Sequence, residues 1–275
     1  MLPVGLQLYG IRDALENNPQ DFGKVMKKVK AMGFDGVELA GLYGLAPETV
    51  RQALDEAGLT PFSAHVPLAD LMADIEAVIK DYSIIGCKYI AVPYLPEEYR
   101  PNTPGYPKAI AEMDRIGGKL KENGIQLVYH NHDFEFVRLA NGTYGLDDIY
   151  QQISAGHLMA EPDTCWIKVA GEEPGPYILK YANRCPIVHL KDFILEGKPK
   201  NLYKLIGLDE EEKEEDTGKF EFRPVGSGQQ NWRPILDAAL KVNAEWVVVE
   251  QDEHYDLTCM EAARLSREFL KTLGW

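Results

Sequence analysis

Short apolar runs alternate with amphipathic stretches along the whole chain. Residues 4–9, 36–40, 60–65, 88–93, 125–130, 157–163, 186–190 and 246–250 are such runs, the pattern of strands buried on both faces. The stretches between them read as helices. Residues 19–32 place Phe22, Val25, Met26, Val29 and Met32 on one face and Lys24, Lys27, Lys28 and Lys30 on the other, with Gly33 as the stop. Residues 47–57 form a second helix closed by Gly58, and an apolar period runs through Leu71, Ile75, Val78 and Ile79. Another helix ends at Asn123 with Ile110, Met113, Ile116 and Leu120 inward. A last one begins near Thr258 and turns Leu265 and Phe269 inward.

Most strand starts lie about 24 to 37 residues apart, the spacing of strand–helix units. Eight such units predict an α/β fold, a single (β/α)8 barrel spanning residues 1–275, and the length is close to the ~250 residues usual for one. An open doubly wound sheet would want a GxGxxG loop after an early strand, and the chain has none. Gly226-Ser227-Gly228 comes too late for that and reads as a loop turn or a minor phosphate contact. The last interval is about twice as long as the others. Its extra residues, around 195–222, read as a loop insertion whose acidic run 209–216 is solvated.

Composition narrows the function classes. At 275 residues and 45% hydrophobic content the chain can bury a large core. A formal charge of -14 opposes nucleic-acid and membrane-surface binding, and leaves a small molecule as the expected partner. The same charge disfavours a phosphodiesterase acting on DNA. Cys87, Cys165, Cys185 and Cys259 lack CxxC spacing and read as reduced, buried thiols. Gln7, Arg12 and Asp13 interrupt the first apolar run, so no export signal is expected, and no stretch has the ~18 apolar residues of a membrane span. A cytoplasmic location is the expectation. The oligomeric state is open, a homodimer being compatible.

The chemistry concentrates at the carboxyl ends of the strands, where barrels place their sites. Those ends read Glu38, His65, His130, Asp163, His189 and Glu250. The richest stretch is Tyr129-His130-Asn131-His132-Asp133-Phe134-Glu135-Phe136, two imidazoles and two carboxylates directly after an apolar run. Mixed Asp, His and Glu donors suit Mn, Zn, Co or Fe better than Ca. An ion with open positions can hold vicinal oxygens of a polyol and polarise a carbonyl, while a nearby carboxylate takes the adjacent C–H proton.

With Val4-Gly5-Leu6-Gln7-Leu8-Tyr9, Gly33-Phe34-Asp35-Gly36-Val37-Glu38, Pro162-Asp163-Thr164-Cys165-Trp166, Val188-His189-Leu190-Lys191-Asp192 and Val249-Glu250-Gln251-Asp252, the chain resembles the xylose-isomerase-like barrels, in the sugar phosphate isomerase/epimerase group. The resemblance implies one divalent ion (Mn, Zn, Co, Fe or Mg) held by Glu, Asp, His and Glu from the fifth to eighth strands. Asp163, His189 and Glu250 match that pattern, and the fifth-strand position falls on His130 instead of Glu, with His132 as the other reading. It also implies Glu250 as ligand and base, Glu135 as its partner acid/base, and His65, His132, Lys191, Trp166 and Glu38 as substrate-binding residues. The implied activity is a metal-dependent sugar isomerase or epimerase working by proton abstraction beside a carbonyl. The alternative is a lyase that removes water from a keto-inositol or keto-sugar, since His-containing fifth-strand motifs resemble inosose dehydratase.

Overall fold

The computed structural model describes residues 1–16, 19–197 and 218–275. Eight parallel strands form the central sheet: β1 (Val4–Gln7), β2 (Gly36–Ala40), β3 (Thr60–His65), β4 (Tyr89–Val92), β5 (Gln126–His130), β6 (Leu158–Glu161), β7 (Ile187–Leu190) and β10 (Trp246–Val249). Their order is β6-β5-β4-β3-β2-β1-β10-β7. The two ends meet at a parallel bridge between Asp163 and His189, with the His189 N–H donating to Pro162 O at 3.0 Å. The sheet is therefore a nearly closed (β/α)8 barrel, in agreement with the strand spacing. The strands are shorter than their apolar runs: residues 8–11, for example, turn into a 3-10 helix.

Helices cover the outside. Phe22–Met32 buries Phe22, Val25, Met26 and Val29, and ends at Gly33 in the left-handed conformation (φ 99°) that glycine adopts without a Cβ clash. The segment after β3 breaks into Leu68–Ala73 and Ile75–Ile85, the second capped by the Asp74 side chain on Ala77 N–H. Cys259–Thr272 starts in a capping box between Thr258 and Glu261. It buries Ala262, Ala263, Ser266 and Leu270, with Leu265 and Phe269 only half-buried, so the inward face is rotated from the expected one.

The barrel interior has two levels. Its amino-terminal half is filled by Phe62, Tyr89, Ala91, Val128, Ile187 and Val248. Phe62 stacks on Trp246 with centroids 4.2 Å apart. A Cβ on Gly5 would lie 2.5 Å from the Phe62 ring and one on Gly36 2.9 Å from Trp246, so both glycines make room for that pair. Above this apolar floor the interior turns polar: Gln7, Glu38, His130, Glu161, His189 and Glu250 are all buried there.

The predicted loop insertion begins and ends as structure. β8 (Asp192–Glu196) and β9 (Lys219–Arg223) form an antiparallel hairpin, and the acidic run 209–216 lies outside the described residues. Phe193, Phe220 and Phe222 point from the hairpin onto Cys165 and Trp166 as a small separate core. The period-2 spacing of Phe220 and Phe222 was the available signal. The Gly226-Ser227-Gly228 turn serves this hairpin. Asp192 accepts from the N–H groups of Gly226 (2.9 Å), Gly228 (3.0 Å) and Gln230 (3.1 Å), which leaves that turn no role as a phosphate cradle.

Candidate metal centre and substrate cavity

Four donor atoms converge where β5, β6, β7 and β10 end. His130 Nε2 lies 3.4 Å from Asp163 Oδ2 and 3.4 Å from Glu250 Oε2, and His189 Nδ1 lies 3.0 Å from the same Glu250 oxygen. Each residue is held there by its own element. His130 Nδ1 contacts Pro93 O at 3.2 Å, which turns the other ring nitrogen toward the carboxylates. Asp163 caps the helix Thr164–Val169 through Oδ1, accepting from Trp166 N–H at 3.0 Å, while its N–H donates to Asn131 Oδ1 at 3.1 Å. Oδ2 is left pointing inward.

His130 Nε2 and Asp163 Oδ2 are buried and have no hydrogen-bond partner. Buried polar atoms are almost always satisfied, so two such atoms side by side mark a place for an absent group. Two imidazoles and two carboxylates within 4.8 Å of one another fit a divalent ion of the Mn, Fe, Co or Zn kind. His132 is not one of these donors. Its ring stacks on Phe134 instead, and burial, with His130 and Lys191 nearby, keeps its basicity well below the usual histidine value.

Beside this set sits Lys191, only 1% exposed. Its Nζ lies 2.7 Å from Asp252 Oδ2, 3.2 Å from Glu250 Oε2 and 3.7 Å from Asp163 Oδ2. Burial opposes the ammonium, but Asp252 and Glu250 outweigh it and raise the Lys191 pKa well above the ordinary value. For Glu250, burial pushes up, and Lys191 with the two imidazoles overcomes it to hold the carboxylate well below its usual range. Asp252 is raised to about 6, by burial and by Glu250, in spite of Lys191.

A cavity of about 510 Å³ opens onto these groups, within the range for small-molecule sites. Lys191, Glu250 and Asp252 line one wall, following the adjacent strands β7 and β10. The opposite wall comes from the ends of β3 to β5: His65, Pro93, Tyr94, His130 and His132. Tyr9, Tyr82 and the exposed Asp70 complete the lining. Tyr9, Tyr82, Tyr94, Asp70 and Asp252 were not singled out as site residues by sequence. Tyr9, Tyr94 and Asp252 closely follow strands and Asp70 and Tyr82 lie in the two helices after β3, where a lone tyrosine or aspartate carries no pattern.

Three expected contacts fall elsewhere. Glu38 is fully buried beneath the cavity: it accepts from Gln7 Nε2 at 2.9 Å and faces His189 Nε2 at 2.8 Å. A residue in the body of a strand, with its side chain turned into a narrow barrel, stays below the rim. Glu135 is fully buried in the 3-10 turn Phe134–Phe136, accepting from the Tyr129 hydroxyl and from His132 N–H at 2.8 Å. Burial raises it to about 8 against those two donors. It locks the 130–132 loop and does not line the cavity. Trp166 is fully buried under the hairpin, its ring stacked on Phe220 at 6.0 Å, so no face is left for a sugar ring. His65, by contrast, lines the cavity, with Nε2 2.9 Å from Glu161 Oε1.

A barrel with clustered metal-type donors at the carboxyl ends of its strands, under a cavity of this size, defines a class of small-molecule enzymes. The chain matches the xylose isomerase-like TIM barrel family over residues 26–273 and belongs to it. Among characterised relatives, the inosose dehydratase of Clostridium perfringens is 25% identical over 91% of this chain and 89% of its own. A sugar phosphate isomerase/epimerase from Parabacteroides distasonis superposes with a TM-score of 0.78 at 21% identity, covering 98% of this chain and 93% of that one. A probable 3-DHS dehydratase from Bacillus anthracis gives 0.75 at 12% identity over 98% and 99%. At these identities the two solved structures speak for the fold alone. Among the described residues, no helix is long and apolar enough to cross a membrane.

Proposed function

We propose that the protein is a metal-dependent lyase that removes water from a keto-polyol of the keto-inositol or keto-sugar class. The observation that carries this reading is the one-sided placement of the proton-transfer groups. Glu250, Lys191 and Asp252 share one wall of the cavity, and Glu135, the expected second base, is turned away into the 130–136 loop. Epimerisation by two bases needs a second proton acceptor across the substrate carbon. Among the described residues the opposite wall offers tyrosines, the exposed Asp70 and three imidazoles, with no buried carboxylate. His65 is bonded to Glu161, His130 belongs to the donor set, and burial with His130 and Lys191 nearby makes His132 a weak base.

His130, Asp163, His189 and Glu250 would hold the ion. When bound, it supplies a Lewis acid that polarises the substrate carbonyl and acidifies the neighbouring C–H. Glu250 is then placed to accept that proton. The electron pair of the broken C–H bond forms the new C=C as the C–O bond of the hydroxyl one carbon further breaks. The hydroxide leaves as water with a proton delivered from the same wall, where Lys191 and Asp252 pair at 2.7 Å. Tyr9, Tyr82 and Tyr94 offer ring faces and hydroxyls to a polyol. The name of the Clostridium relatives supports the same reaction class.

A second reading keeps the same base. Aldose–ketose isomerisation also moves a proton on one face, and the same donor set and Glu250 would serve it. Incubation of the reconstituted protein with keto-inositols and ketoses in deuterated water separates the two. Dehydration gives a conjugated carbonyl product with ultraviolet absorbance. An isomer carrying deuterium, with no dehydrated product, identifies an isomerase instead. No exchange of any carbon-bound proton across the panel removes both.

A further inference from the structure

We propose that Glu38 is a positioning residue: anchored by Gln7, its carboxylate holds the His189 imidazole so that Nδ1 faces His130, Asp163 and Glu250. The proposal rests on the metal reading of that donor set.

An imidazole can present a lone pair at Nδ1 only when its proton is on Nε2, and the group facing Nε2 decides that tautomer. His189 is fully buried, so bulk water does not reach Nε2. The nearest acceptor to Nε2 is Glu38 Oε2 at 2.8 Å, followed by Glu161 Oε1 at 3.2 Å. Neither contact meets the geometry of a hydrogen bond, so distance and anchoring decide the assignment. Glu38 has the firmer anchor. Gln7 stands opposite it in the β1–β2 register, Gln7 Nε2 donates to Glu38 Oε2 at 2.9 Å, and Gln7 Oε1 in turn accepts from Tyr9 N–H at 3.0 Å. Glu161 is engaged elsewhere, with Oε1 bonded to His65 at 2.9 Å. Glu38 does not itself line the cavity; it meets the lining through His65, whose Nε2 lies 3.3 Å from Glu38 Oε2, and it meets the donor set through His189, which is closer at 2.8 Å.

A second ion between Glu38, His65, Glu161 and His189 is the competing explanation, because their donor atoms also lie within 4.8 Å of one another. Both sets contain bonded and partnerless atoms. They differ in access to the cavity: His130 and Glu250 of the upper set line it, whereas only His65 of the lower set does. The lower set therefore reads as the support and the upper set as the site.

The test is divalent-metal affinity, measured by chelator competition with Co²⁺ and Mn²⁺, together with the visible spectrum of the Co²⁺ form. Near-UV circular dichroism verifies folding of each variant. Glu38→Gln keeps the volume and removes the charge; it is expected to weaken both ions about 10- to 100-fold and to change the Co²⁺ spectrum. Gln7→Ala leaves Glu38 in place but loose, and should move both readouts the same way by less. If both variants bind within about twofold of the parent, with its spectrum, Glu38 is merely structural and the proposal falls alone. If the parent takes two ions and Glu38→Gln one, Glu38 is a ligand and the proposal is again overturned. A parent that takes up no divalent ion overturns the metal reading and this proposal with it.

Discussion

Replacing Lys191 by Met tests the charge arrangement of the site directly. Methionine keeps a long flexible stem among the Trp166 and Phe222 rings that lie 5.7 and 5.1 Å from Nζ, and removes only the charge. Asp252, Glu250 and Asp163, at 2.7, 3.2 and 3.7 Å from Nζ, are then left together without their ammonium. Breaking a buried pair on one side costs about 3–5 kcal/mol. An exposed pair is worth only about 0–1 kcal/mol. The sign of the pH dependence follows from the groups involved. Lys191 is raised above its ordinary value, so its contribution is whole throughout the neutral range and fades only in strong alkali. Any slope between pH 5 and 8 must come from the carboxylates and from the imidazoles beside them, among which His132 is held down in part by Lys191. Asp252, raised to about 6 with Lys191 present, climbs further without it and takes up a proton near neutrality. An acid raised on folding favours the folded state at low pH and loses that advantage as pH rises through its folded value. The destabilisation is therefore greatest near pH 8 and smaller at pH 5. Urea unfolding of metal-free parent and variant at pH 5, 6.5 and 8 reads it. A difference under about 1 kcal/mol at pH 8, the size of an exposed pair, or one that grows on acidification, refutes the reasoning.

Other outcomes follow from single contacts. After reconstitution and elemental analysis the parent should hold about one divalent ion per chain, and Asp163→Ala and His189→Ala much less; equal uptake removes those residues from the donor set. Gly228→Ala would bring a Cβ to 2.2 Å from Asp192 Oδ1, so it should destabilise by about 1–3 kcal/mol, seen as a lower Tm. An unchanged Tm would mean that Asp192 does not clamp the turn. Glu135, raised on folding to about 8, favours the folded state at low pH and loses that contribution as pH rises through this value. Glu135→Gln should therefore flatten urea stability between pH 5 and 8, where the parent falls by up to ~1.4 kcal/mol per unit; parallel curves would contradict it.

The barrel was legible because its strands are buried on both faces and read as unbroken apolar runs, and because helices such as Phe22–Met32 carry both an apolar face and a glycine stop. The strand ends were legible for the same reason: a titratable residue directly after a buried run has few places to go. Depth was not legible. Glu38 and His65 looked alike, yet Glu38 lies under the cavity and His65 lines it, a difference set by strand register and barrel curvature. The local fold of the 130–136 loop was hidden too. Glu135 looked free to reach a substrate until the loop closed on it through Tyr129 and His132. Trp166 was misplaced because the hairpin that covers it comes from residues about 30 and 55 positions further along.

His130 remains the most informative departure from the family pattern of Glu, Asp, His and Glu. Two carboxylates, Asp163 and Glu250, would balance a divalent ion, and Lys191 with Asp252 forms an ion pair beside them. A glutamate at position 130 would add a third negative charge to the donor set. A neutral imidazole there leaves more of an ion's positive charge for a bound substrate oxygen. It also leaves the β5 side of the cavity without a carboxylate that can take a proton from the far face of a substrate carbon. On the proposed metal reading, one residue would therefore shift both properties in the same direction, toward a more acidic C–H and toward proton transfer on a single face. A reaction that removes one proton and then expels a neighbouring hydroxyl makes use of both.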